Sequence, residues 1–239
     1  MAMRTIRWAI IAGLVAAAMP LATARAQYES SNISLYKQFT LADFGNAGNG
    51  NSCWGFVSGS GREYAVMGVS NKVAFVDITD PANSRIVATV AHTNSLWADM
   101  KIYGDYCYVV NEAGGGIQVI DISNIDNGVA TLVRSVSSPS TSHTIGVNTD
   151  SGFLYPTGSS TDNGGLLIFN LADPSNPVKV NAWSTSYVHE GHVVTYTSGP
   201  YAGKEIAFLF CGSRGIYVVD VTNKANLVTL TQKTYPCLN

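Results

Sequence analysis

The sequence predicts an all-β chain: a β-propeller of four-stranded antiparallel blades, about four of them present, forming part of a larger propeller. Three observations predict it. A strand-like motif recurs four times, as VAFVDIT from Val73, IQVIDIS from Ile117, LLIFNLA from Leu166 and IYVVDVT from Ile216. The anchors Asp77, Asp121, Asn170 and Asp220 lie 44, 49 and 50 residues apart, a blade-length period. No segment after the leader carries the 3.6-residue apolar period of an amphipathic helix.

Each repeat unfolds in the same order. Two strand candidates precede the anchor, as in MKIY from Met100 and then YCYVV from Tyr106. The anchor strand is β-branched and aliphatic, and glycine stands just before three of the four, at Gly116, Gly165 and Gly215. A turn follows, with Asp80-Pro81-Ala82-Asn83 and Asp173-Pro174-Ser175-Asn176-Pro177 as the clearest cases. A fourth strand closes the unit. Blades are expected at roughly 54–95, 97–138, 141–186 and 187–235, with Asn32 to Leu41 as an extra strand-like segment. Packing sheets about an axis buries both faces of each, which explains apolar runs where a β-sandwich would show strict alternation. The domain organisation is then residues 1–26 as a leader and 27–239 as one propeller domain.

The leader has Arg4 and Arg7, an apolar stretch from Ala9 to Met19, and an A-x-A ending at Ala26, so cleavage is expected between Ala26 and Gln27. The expected location is secreted, extracellular or periplasmic. Removing 26 of 239 residues leaves 213, with Lys and Arg falling from 14 to 11 against 16 Asp and Glu, a net charge of −5. That balance argues against nucleic acid and anionic membranes as partners, since both select basic patches. No apolar run reaches the ~20 residues of a membrane span.

Four cysteines allow three pairings, and none forms a C-x-x-C. Cys107 and Cys211 lie in strand-like runs and read equally as buried apolar residues; a Cys53–Cys237 bridge tying the two ends is a further option.

The repeat and stretches across the mature chain resemble a known group. The form Gly-Ile-x-Val-[VI]-Asp-[IV]-[ST] is similar to the LVIVD repeat. The stretches SCWGF at Ser52, LWADMK at Leu96, HEGHVV at His189 and DVTNKAN at Asp220 resemble the choice-of-anchor B family of exported bacterial propellers. In that family the chain usually continues past the position of Asn239. Glu190 and His192 stand where the family more often has an Asp and Gln pattern. The resemblance implies a fold and an exported location, and carries no general activity.

The stretch YVHEGHVV invites comparison with a zinc protease, whose H-E-x-x-H places two histidines on one helical face. Here His189 and His192 are three apart on a predicted strand, and alternation sends them to opposite faces. That reading fails, but position matters. Asp99, His143 and His189 or Glu190 all fall where inner strands begin, so three blades would bring them to one channel. Imidazole and carboxylate there suit a divalent metal of the Ca or Zn/Mn type, with Asp99, His143 and His189 as ligands. The competing reading is a polar ring hydrogen-bonded to itself and to water. No catalytic residue is assigned, because no G-x-S-x-G elbow or phosphate loop occurs. The repeated anchors read as turn caps, Glu63, Glu112 and Glu205 as solvated strand-edge carboxylates, and Trp54, Trp97 and Trp183 as inter-blade packing. The function expected is a binding or scaffold module for a protein, peptide or glycan at the cell exterior. The alternatives are a metal-dependent hydrolase-like enzyme at the channel and an assembly role through an exposed blade edge.

Overall fold

The computed structural model describes residues 31–235. Two units are present, Met1–Leu35 and Tyr36–Asn239. The described part of the first, residues 31–35, has no strand or helix, and the second carries sixteen strands. The leader and Cys237 lie outside the described residues.

Blade 1 comprises β1 (Gly50–Val57), β2 (Glu63–Val69), β3 (Lys72–Asp77) and β4 (Arg85–Ala91). Blade 2 comprises β5 (Ala98–Tyr103), β6 (Tyr106–Asn111), β7 (Ile117–Asp121) and β8 (Thr131–Val136). Blade 3 comprises β9 (Thr144–Asn148), β10 (Phe153–Thr157), β11 (Leu166–Asn170) and β12 (Val178–Trp183). Blade 4 comprises β13 (Glu190–Thr195), β14 (Glu205–Phe210), β15 (Ile216–Asp220) and β16 (Val228–Lys233). Every sheet is an antiparallel meander in sequence order. Helical geometry among the described residues is confined to three-residue 3₁₀ turns.

The repeat has a physical cause at three points. Each anchor bends its own exit turn, because its Oδ1 accepts the amide two residues on. Thr79 donates to Asp77 at 3.2 Å, Ser123 to Asp121 at 2.8 Å, Ala172 to Asn170 at 2.8 Å and Thr222 to Asp220 at 3.0 Å. Asp and Asn serve equally, since only the oxygen acceptor is used. Second, the glycine before the third strand lies against the carbonyl ending the fourth. A Cβ at Gly116, Gly165 or Gly215 would sit 2.0, 1.9 or 2.2 Å from the carbonyl oxygen of Val136, Trp183 or Lys233. Third, the outer strand of every blade carries a bulge. The register shifts between Phe75 and Val76, Val119 and Ile120, Ile168 and Phe169, and Val218 and Val219. Each shift leaves one extra residue on the outer strand and sharpens its twist. Sequence inspection does not show this bulge.

Between blades the apolar runs interlock. Tyr64, Val66 and Phe75 of blade 1 pack on Met100, Cys107 and Ile120 of blade 2. Tyr108, Ile117 and Val119 meet Ile145, Leu154 and Phe169 of blade 3, while Ile168 and Trp183 meet Leu209, Tyr217 and Val219 of blade 4. Each such side chain removed from water contributes about 1.5–3 kcal/mol, so these layers dominate the stability. Tyrosines on second strands reach into the next blade. Tyr108 donates its hydroxyl to the Pro174 carbonyl at 2.8 Å, Tyr64 to Asp126 at 2.8 Å and Tyr155 to Glu205. The inner strands β1, β5, β9 and β13 stand side by side in that order.

Several expectations change. Asn32 to Leu41 forms no strand; instead Phe44 and Ala47, with Phe39, cover the outer face of blade 1 over Ala74 and Val76. Blade 1 starts at Gly50, and its first strand carries a register shift between Gly50 and Cys53. Cys107 and Cys211 are buried and unbridged, and Cys53 is exposed. Trp183 packs between blades, donating Nε1–H to Thr229 Oγ1 at 3.0 Å across to blade 4. Trp54 and Trp97 do not pack that way: both are exposed, and Trp54 carries the Lys101 ammonium 4.5 Å from its ring centre.

Candidate site at the mouth of the inner strands

Trp97, His143 and His189 are equivalent residues, each standing one position before an inner strand. The sheet holds all three there. Trp97 accepts the Glu112 amide at 3.3 Å, His143 donates its amide to Thr157 at 3.0 Å, and His189 donates to Phe210 at 2.9 Å. Because the inner strands are neighbours, the three side chains form a ladder across blades 2, 3 and 4. The Trp97 and His143 rings are 6.3 Å apart edge-on, and the His143 and His189 rings 4.3 Å apart.

Glu112 completes the row from the end of β6. Its Oε1 lies 2.6 Å from His143 Nδ1. A carboxylate only accepts, so Nδ1 carries the proton and Nε2 of neutral His143 is left as an acceptor. Tyr187 closes the other side. Two glycines make room for it: a Cβ at Gly164 would fall 2.5 Å from its ring, and one at Gly158 3.0 Å from its hydroxyl and 2.6 Å from the His143 Cβ. Both have positive φ, 59° at Gly158 and 66° at Gly164. Burial, and then the Glu112 charge, push the Tyr187 hydroxyl pKa up. Ser160 fastens the loop before His143, its Oγ accepting from the Ser140 amide at 3.1 Å while its own amide donates to Thr141 at 3.1 Å. Trp97, Glu112 and Tyr187 are 51%, 42% and 46% exposed, so the row opens to solvent.

The structure brings His143 and His189 together and leaves Asp99 out. Asp99 lies two residues further along β5, level with the inter-blade packing. Its oxygens take the Lys101 ammonium at 3.0 Å, the Ser52 hydroxyl at 2.7 Å and the Ile145 amide at 3.1 Å, stitching β1, β5 and β9 together. The blade 2 residue that meets the histidines is Trp97. Glu190 is exposed, makes no ion pair among the described residues, and by strand alternation faces away from His189. Among the described residues no three His, Cys, Asp or Glu side chains form a group able to hold a metal, so the expected Asp99–His143–His189 ligand set is not assembled.

Residues 98–127 match the LVIVD repeat family model. The matched stretch is the core of blade 2, from β5 through β7 and its exit turn. No curated protein matches the chain. Solved structures do. One is a proposed 6-phosphogluconolactonase of Bacteroides fragilis, at 14% identity and TM-score 0.53, covering 77% of this chain and 55% of that one. A Lactobacillus plantarum protein matches at 14% and 0.56, covering 79% and 59%. The periplasmic gluconolactonase PpgL of Pseudomonas aeruginosa matches at 13% and 0.50, covering 75% and 56%. The chain thus spans somewhat over half the length of each, and at these identities the likeness establishes the fold alone: a β-propeller carrying an LVIVD repeat.

Sequence reasoning found both histidines and missed Trp97, Glu112 and Tyr187 as their companions. Trp97 was legible in principle, since it occupies the same position before Ala98 that His143 occupies before Thr144. Glu112 follows β6 where the next blades have Gly158 and Cys211, and Tyr187 precedes β13 where blades 2 and 3 have Ser95 and Thr141, so no recurring residue type points to them. Glu205 also departs from expectation: it is buried, and its carboxylate gathers Asn148, Ser151, Tyr155 and Lys224.

Proposed function

We propose that this chain is an exported binding module whose recognition surface is the row Trp97, His143, His189, Glu112 and Tyr187, and that its ligand is a glycan. The leader-like residues 1–26 support the location. The observation that carries the reading is the convergence of equivalent residues from three blades into one solvent-open row. Rigid sheets hold it, and loops with room-making glycines frame it. Half-exposed Trp and Tyr rings offer faces for the C–H side of a sugar ring, and imidazole and carboxylate offer hydrogen bonds to its hydroxyls. A peptide ligand has no comparable support, since the row offers no unpaired strand edge to extend and no apolar side-chain pocket.

A glycan array probed with the purified protein, followed by calorimetry on the best ligands, tests this. Trp97→Ala and His189→Ala are expected to weaken binding about ten-fold each, the loss of a stacking or hydrogen-bonding partner, without lowering the melting temperature. Binding that survives both substitutions overturns the reading. The lactonase activities named for the Bacteroides and Pseudomonas proteins offer a second reading, and no residue pattern in the row favours it over binding.

A further inference from the structure

We infer that the sugar bound at this row bears a free amino group, so that its ammonium meets Glu112. This rests on the glycan reading above and narrows it to one chemical class.

The row contains one formal charge partner that is not consumed. Glu112 gives Oε1 to His143 and keeps Oε2 uncommitted on a side chain that is 42% exposed. No Lys or Arg ion-pairs with it among the described residues, in contrast to Asp77, Asp99, Asp162, Glu205 and Asp220, each of which has a basic partner. A carboxylate with an open oxygen, in a row that also holds the half-exposed Trp97 and Tyr187 rings, suits a cation. Ammonium groups are drawn both to carboxylate oxygen and to the π-faces of Trp and Tyr. The histidines fit the same assignment. With Nδ1–H committed to Glu112, the neutral form of His143 presents Nε2 as an acceptor, which suits a sugar hydroxyl or an N–H donor. An anionic sugar would be placed against Glu112 with no lysine or arginine in the row to offset it. The wider charge agrees: residues 27–239 carry 16 acidic against 11 basic side chains, a field that gathers cations.

The test compares glucosamine oligomers with their N-acetylated counterparts of equal length, by calorimetry at low salt and at mildly acidic pH, where the glucosamine amine is protonated. The two differ in ammonium charge and little in ring shape. The glucosamine oligomer is expected to bind about ten-fold more tightly or better, the worth of one charge-assisted hydrogen bond. That advantage should disappear in Glu112→Gln and shrink as salt rises. Trp97→Ala should weaken both oligomers, and Trp97→Phe should restore part of the loss. Melting curves of each variant separate lost binding from lost fold. Equal affinity for the two oligomers, an advantage that survives Glu112→Gln, or no binding of either overturns the inference. If a neutral glycan binds through Trp97 while the ammonium confers nothing, the inference fails and the glycan reading stands. If neither oligomer nor any arrayed glycan binds, both fail.

Discussion

The imidazole of His143 lies 4.3 Å, ring centre to ring centre, from that of His189 in the next blade. Nothing in either local sequence brings them together; the side-by-side inner strands do. The pair costs the fold little to lose, because His189 is exposed and His143 keeps its carboxylate partner. His189→Ala is therefore expected to shift stability by no more than about 0.5 kcal/mol. Thermal unfolding checks this. A large loss would mean that the pair is a structural bolt and not part of an open recognition row.

Asp99 is the opposite case. Its carboxylate joins three inner strands and neutralises Lys101, whose side chain is 17% exposed. Asp99→Ala would leave a largely buried ammonium with only the Met100 carbonyl and the Trp54 ring, and the Ile145 amide without its acceptor. The expected loss is roughly 3 kcal/mol, the scale for breaking a buried ion pair from one side. Chemical denaturation of the variant, alongside Lys101→Met, measures it. A double variant less destabilised than Asp99→Ala alone would identify the stranded charge as the cause.

The glycines before the third strands predict a sharp contrast. At Gly165 a Cβ would sit 1.9 Å from the Trp183 carbonyl oxygen, and backbone cannot yield as a side chain can. At Gly59 nothing lies within 4 Å, and φ is not in the left-handed region. Gly165→Ala is expected to cost at least about 2 kcal/mol, within the range for overpacking, while Gly59→Ala stays near neutral or gains slightly. Melting temperatures of the two single variants decide it.

These glycines also show what the sequence could reveal. Gly116, Gly165 and Gly215 were visible because the same backbone contact recurs in three blades, and repeated geometry leaves repeated residues. The anchors Asp77, Asp121, Asn170 and Asp220 were visible for the same reason, and the Asp-to-Asn exchange marks the oxygen acceptor as the selected feature. The outer-strand bulges were not visible, although they recur in all four blades, because an extra valine or leucine in a strand changes nothing in composition. The site was half legible. His143 and His189 stand out by residue type, while Trp97 looked like core and Asp99 like a ligand. Residue type misled in both cases, because a shift of two along β5 separates the solvent-open mouth from the packed interior.

Acid sensitivity follows from the anchors. Burial pushes the Asp77 carboxyl up, but the Thr79 hydroxyl and amide, together with Arg62, hold it below the ordinary value. Asp220 balances burial in the same way against Thr222 and Lys204. A carboxyl whose pKa falls on folding stabilises the fold fully above its unfolded value of about 3.9, and that contribution drains as pH drops through the folded value. Stability should be flat from neutral pH down to about 5 and fall below about 4. Asp77→Asn keeps the Oδ1 acceptor, as Asn170 does naturally, but cannot titrate. Its melting temperature is expected to start lower at neutral pH and to fall less steeply in acid.

Glu205 shows how one carboxylate can fasten two blades. Its Oε1 accepts from Asn148 and Ser151, both at 2.8 Å, and from the Tyr155 hydroxyl, while Oε2 holds Lys224, whose ammonium also lies 4.4 Å from the Phe153 ring centre. Burial, and then this carboxylate, push the Tyr155 hydroxyl pKa far up, so it acts as a fixed donor. Tyr155→Phe removes one donor of several and leaves Glu205 paired, so about 1 kcal/mol is expected. Glu205→Ala leaves the largely buried Lys224 ammonium without its counter-charge, holding only the Val221 carbonyl and the Phe153 ring, and should cost roughly 3 kcal/mol. Equal losses would mean that the tyrosine hydroxyl, and not the Lys224 ion pair within blade 4, accounts for what Glu205 contributes at this end; denaturant midpoints of the two variants, at matched m-values, tell them apart.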